Sequence, residues 1–203
     1  MPAFLTLLLF AFSLICSAGT EELTQKFRTF ADYRIIQADF IQTRRLAELD
    51  MTIEIRGKMV CENNGRLRWQ VDSPVRSVTV IDNTVLTHFD AETGKTAQIE
   101  QSKFPWLKVL RDCLADWISG DPDRLAKRFE LTAKDAQTLR LTPKEAALNN
   151  IFRSVEIRAN AAFTAIDLIT IEEKSGDLLT IRFVNVRKNP AGLTEKTWRA
   201  APE

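Results

Sequence analysis

Between Met51 and Cys61 the chain alternates: Met51, Ile53, Ile55, Gly57, Met59 and Cys61 fall on one parity, and Thr52, Glu54, Arg56 and Lys58 on the other. A period of two held over that length fits a long β-strand with one buried face, because a helix would scatter the same residues around its axis. Glu62-Asn63-Asn64-Gly65 follows, and its Asn-Gly pair is the strongest short-range hairpin signal. Leu67, Trp69 and Val71 then alternate with Arg66, Arg68 and Gln70, which supplies the second strand of the hairpin.

The same period returns along most of the chain. Ile36, Ala38 and Phe40 form an earlier strand, and residues 75–81 and 84–89 flank a turn at Asp82-Asn83. Further strands are expected over 95–101, 129–133, 138–142, 151–158, 163–172 and 178–187. Helical spacing appears at two places. Leu23, Phe27 and Phe30 share one stripe of an N-terminal helix, with Thr20 as its expected N-cap. Trp106, Leu107, Leu110, Cys113, Leu114, Trp117 and Ile118 share a broad face of a second helix, with Lys108, Arg111, Asp112, Asp116 and Ser119 opposite. Gly120 stops it, and Asp121-Pro122 caps a further short helix. Strands at hairpin spacing with one buried face predict a mainly β fold. The sheet is expected to be antiparallel and to cover its apolar face by curling into a curved half-barrel or by receiving the helices, with the amphipathic helix from Trp106 to Ser119 as the obvious cover.

Before the fold comes an apolar run from Phe4 to Ile15, shorter than the ~20 residues a spanning helix needs. Cys16-Ser17-Ala18 supplies small residues after it, so residues 1–18 read as a signal peptide cleaved after Ala18. Residues 19–203 then form a single exported domain, expected in the periplasm. A net charge of +1 gives no electrostatic footprint for nucleic acid. A single His leaves no His-rich metal site. No G-x-S-x-G, H-E-x-x-H, S-x-x-K or Gly-rich phosphate loop is present, so neither enzyme activity nor a cofactor is expected. His88 has the opposite parity from Phe89 and is expected on the outer surface, as are Arg66 and Arg68. Cys61 and Cys113 have no metal or redox spacing; they are two buried thiols, or a lid-to-wall disulfide in an oxidising compartment.

Several stretches resemble the LolA family of periplasmic lipoprotein carriers. Ala38-Asp39-Phe40-Ile41-Gln42-Thr43 is similar to that family's first-strand signature. Gly57, Leu67-Arg68-Trp69 and Pro74 resemble its hairpin, and Leu141-Thr142-Pro143-Lys144 its LTPK turn. Asn189-Pro190 and the segment from Trp198 to Pro202 are similar to its carboxyl-terminal pattern. The resemblance implies an open, incomplete β-barrel closed by a helical lid, in a carrier that binds lipoprotein acyl chains; a monomer and non-covalent transport are expected. It also implies an inner-membrane transporter as donor and an outer-membrane acceptor, LolB. The expected wall is Phe40, Ile53, Ile55, Met59, Leu67, Trp69 and Val80, and the expected lid is Leu110, Leu114 and Trp117. The family's lid-governing Arg aligns with Asn63, which leaves open what replaces it. That departure points to an alternative, a branch carrying another lipid or an acyl-polyene with a dedicated exporter. A lipid hydrolase and a protein-docking module are the more distant alternatives, and an apolar stripe of this kind can equally be ordinary core.

Overall fold

The structure is a computed structural model that describes residues 19–200 apart from 64 and 104; the side chains of 105–107 and 110 are also outside the description. The signal peptide expected over 1–18, with its cleavage site, therefore lies outside the described residues. Eleven strands form one antiparallel sheet: β1 (Ile35–Leu46), β2 (Met51–Glu62), β3 (Leu67–Ser73), β4 (Ser77–Ile81), β5 (Val85–Asp90), β6 (Lys95–Glu100), β7 (Phe129–Ala133), β8 (Thr138–Pro143), β9 (Phe152–Ala159), β10 (Ile166–Glu173) and β11 (Leu178–Lys188). Helix α1 covers residues 19–28, followed by α2 (Pro105–Ser119), α3 (Pro122–Leu125) and α4 (Ala146–Asn149). The sequence gives no hint of α4, a single turn in the link between β8 and β9.

The strand order β6-β5-β4-β3-β2-β1-β11-β10-β9-β8-β7 is two meanders joined by one long-range pairing, β1 with β11. The edge strands β6 and β7 do not pair, so the barrel stays open, and α2 and α3 connect the two edges. Turn chemistry fixes the register. Gly65 takes φ +90° and donates to the Glu62 carbonyl, closing the β2–β3 turn. Asp82 Oδ1 accepts from the amides of Thr84 and Val85, closing the β4–β5 turn.

One sheet face carries the main core. Leu23 and Phe27 of α1, Phe30 in the turn after it, and Cys113, Trp117 and Ile118 of α2 pack on Ile36, Phe40, Met59, Leu139, Ile157, Ile169 and Phe183. Trp117 meets Phe152 edge-on at 5.5 Å. Gly120 ends α2 at φ +66°, and a Cβ there would sit 2.9 Å from Ile166 Cδ1. Thr20 lies inside α1 and accepts from the Ala133 amide instead of capping the helix.

The outer face is not the solvated surface that Arg66 and Arg68 suggested. The carboxyl-terminal segment folds back over it and sets Trp198 and Leu193 on Ile35 and Val60. Arg66 lies 4.4 Å over the Trp198 ring and pairs with Glu195 at 2.7 Å, and Arg68 is buried. Asn189 anchors the segment, since its Oδ1 accepts from the amides of Arg34 and Ile35.

Gly57 is required by close approach. It faces Phe40 across the β1–β2 ladder, and the Phe40 ring stacks on Trp69 at 3.9 Å. A Cβ at Gly57 would meet the Gln70 carbonyl oxygen at 1.8 Å and the Phe40 ring at 2.8 Å. Gly57→Ala should therefore cost about 3 kcal/mol, read from the denaturant midpoint. A loss below about 1 kcal/mol would show that this strand pair has slack.

Candidate functional site

Cross-strand register extends the inner face across β3 to β6. Leu67, Ile81, Leu86 and Ile99 form one row. Trp69, Thr79, His88 and Ala97 form the next, and Val71, Ser77, Asp90 and Lys95 the third. Apart from Leu67 these residues are half-buried or exposed, whereas Leu139, Leu141, Val155, Ile157 and Ile169 on the other half of the face are sealed. The inner face is thus solid core under α1 and α2 and more open over β3 to β6, where its row nearest the Asp82 turn is apolar and its far row polar.

The structure divides the wall and lid residues read from the sequence. Phe40, Met59 and Leu67 lie on the inner face and are fully buried in the core. Ile55 and Trp69 lie half-buried on its open part. Ile53 continues that line along β2 and is 36% exposed. Val80 is corrected: it pairs with Arg68 and Thr87, so it occupies the outer face while Ile81 turns inward. Trp117 packs toward Phe129 and Phe152, and Leu114 is half-buried against the core. Leu110 belongs to α2, but its side chain lies outside the described residues.

His88 also departs from expectation. The β4–β5 turn sets Ile81 opposite Leu86, which brings His88 opposite Thr79 on the inner face. Its Nδ1 lies 2.9 Å from Thr79 Oγ1. Phe89 pairs with Val78 on the outer face, and Val78 is itself buried. Apolar residues occur on both faces here, so parity alone misassigns the histidine. Leu86, Ile99 and Thr79 join the site for the same reason, and only the turn register identifies them.

Most of the polar side of α2 is buried as well, contrary to the amphipathic reading: Arg111, Asp116 and Ser119 are buried and Asp112 half-buried, with Lys108 exposed. Arg111 donates to the Asp82 carbonyl at 2.8 Å, to Gln101 at 3.2 Å and to Asp112 at 2.6 Å. Arg124 of α3 donates to the backbone and side-chain oxygens of Asn63 and pairs with Asp116 at 2.7 Å. Arg128 reaches Asp116 and Asp112. These contacts tie α2 and α3 to the turns that end β2 and β4. The cations sit on the helical segment and the sheet turns supply acceptors, so Asn63 takes part as an acceptor.

Cys61 and Cys113 are free, buried thiols rather than a lid-to-wall disulfide. Burial pushes both up to about 12, which leaves them protonated and inert.

The family model for the outer membrane lipoprotein carrier protein LolA matches residues 31–196. The chain belongs to the LolA family. An outer-membrane lipoprotein carrier protein of Coxiella burnetii is 26% identical over 143 residues, 69% of this chain and 65% of that protein. The chain thus spans about two-thirds of the length of the curated relatives it matches, 65% in each. An uncharacterized conserved protein from Thermus thermophilus shares the fold at a TM-score of 0.52 and 12% identity, covering 90% of this chain and 94% of that one. MucB does so at 0.50 and 13%, covering 91% of this chain and 63% of that one. LolA proteins are carriers and not enzymes, which agrees with the absence of catalytic motifs.

Arg111→Ala should cost about 3 kcal/mol in unfolding free energy, because it strands buried acceptors on Asp82, Gln101 and Asp112. Arg124→Ala, at a more exposed position, should cost about 1 kcal/mol. Burial holds the Asp116 carboxyl above the usual carboxylate range despite Arg124 and Arg128. The native state then binds that proton more tightly than the unfolded chain. Its contribution is complete below the unfolded value of about 4 and declines as pH rises through the native one. Asp116→Asn should flatten that decline, measured as denaturant stability as pH rises from about 4.

Proposed function

We propose that this LolA-family chain is a periplasmic, monomeric carrier that binds acyl chains of lipoproteins on its open inner face and carries them toward the outer membrane. An inner-membrane transporter loads it and an outer-membrane acceptor unloads it. The observation that carries the reading is the half-open apolar surface of Ile55, Trp69, Val71, Ile81, Leu86 and Ile99, beside a helix that bridges the two sheet edges. An ordinary core would seal such a surface, as it does on β8 to β10. Each methylene moved from water onto such a surface gains about 0.8 kcal/mol, so no covalent step is needed for tight binding.

Lipid extraction and native mass spectrometry of the protein purified from periplasm should reveal bound acyl material. The extracted species separates lipoprotein cargo from another lipid. Trp69→Ala should weaken binding of a fluorescent fatty acid about tenfold. Val80→Thr, on the outer face, should leave it unchanged. An empty protein that binds no fatty acid sinks the carrier reading.

A further inference from the structure

On β4, β5 and β6 the inner face is graded along the strands. Its first row, Ile81, Leu86 and Ile99, is apolar; the second, Thr79, His88 and Ala97, carries a hydroxyl and an imidazole; the third, Ser77, Asp90 and Lys95, is polar and charged. Rows on one face lie about 7 Å apart. The apolar row adjoins the Asp82 turn held by Arg111, and the charged row adjoins the loops where the Ala91 amide bonds the Arg76 carbonyl. An amphiphile has the same sequence of parts, namely tail, carbonyl linkage and head.

We propose that the His88–Thr79 pair is a binding site for the carbonyl oxygen at the head of an acyl chain, ester or amide. The tail lies toward Leu86 and Ile99, and the headgroup toward Asp90 and Lys95. This deepens the carrier reading and rests on it. In the tautomer in which the Thr79 hydroxyl donates to His88 Nδ1, the ring proton sits on Nε2, and this is the form assigned to the site. Nε2 makes no hydrogen bond to another described residue, so in that tautomer its N–H can reach an acceptor. The imidazole is half-buried between the Trp69–Thr79 side and Ala97, where partial desolvation strengthens a hydrogen bond. Pure hydrocarbon gains nothing from the pair. A chain that ends in a carbonyl does, so the site selects linkage and sets the direction in which the cargo lies.

The test compares monopalmitoyl glycerol (ester), N-palmitoyl serine (amide) and hexadecyl glycerol (ether) in direct binding to the purified chain. The wild-type protein should bind the ester about fivefold more tightly than the ether, the size of one net hydrogen bond. The amide arm distinguishes an N-acyl source of the carbonyl from a glycerolipid source. His88→Phe should bring the ester-to-ether ratio to about one, and Thr79→Val, which releases the ring, should reduce it. The chain has one histidine, so its ring nitrogen resonances are unambiguous. Nε2 should shift on adding ester but not ether in the wild-type protein, a readout that holds if the variants fold poorly. Equal affinity for ester and ether, or an unchanged ratio in folded His88→Phe, overturns the site. Failure of all three probes to bind overturns the carrier reading as well, which separates the two failures.

Discussion

The pairing of β1 with β11 holds the molecule together. Every other ladder joins neighbours in sequence, but this one brings Gln42 opposite Ile181 and Phe40 opposite Phe183 across most of the chain. Without it the two meanders would be separate sheets, each with one apolar face and nothing wide enough to cover it. The closure entropy of such a contact grows only slowly with loop length, so the long connection costs little more than a short one. Its register decides the rest. Phe40 faces Gly57 on one side and Phe183 on the other, and that placement lets its ring reach Trp69. Asn189, just beyond β11, then binds the start of β1 and directs the carboxyl-terminal segment onto the outer face.

With the sheet joined but unclosed, the helices determine which part of the inner face is core. The link from β6 to β7 carries α2 and α3, and Trp117 turns toward Phe129 and Phe152 on the far half. Phe27 of α1 meets Phe163, in the turn before β10, at 6.4 Å. Both helices thus spend their described aromatic surface on the β7 to β10 side. The strands from β3 to β6 have the same alternation and less to cover them. Asymmetric coverage of a uniform pattern leaves this half of the inner face open.

That asymmetry explains what the sequence could and could not say. Strand positions, the α1 stripe and the stop at Gly120 are local matters of period and backbone conformation, and they are legible from Leu23, Phe27 and Phe30 or from Met51 to Cys61 alone. The face that a short strand turns inward depends on turn register. Val80 and His88 are both misassigned because β4 and β5 have apolar residues on both parities and the Asp82 turn decides between them. Arg68 and Trp198 are a long-range matter, since a basic strand face reads as solvated until a remote indole closes over its neighbourhood. Arg111 and Asp116 were read as the wet side of an amphipathic helix. Their burial follows from acceptors on turns distant in sequence, which no periodicity records.

The buried charges on α2 also bear on release. Covering fifteen or so methylenes gains about 12 kcal/mol in principle, reduced by the ordering of the chain and lid. A carrier that held cargo so tightly would not deliver it unless a closed state competed for the same surface. Apolar contacts between lid and wall compete directly, because acyl chain and side chain exclude one another. The Arg111, Arg124 and Arg128 contacts act differently. Their acceptors are the Asp82 carbonyl and the Asn63 turn, together with carboxylates on α2 itself, and water can replace those bonds when the helix lifts, whereas cargo cannot. Under the proposed carrier function, opening would then cost a moderate sum of exchanged hydrogen bonds instead of the desolvation of stranded charges, which would leave the closed state able to compete with cargo.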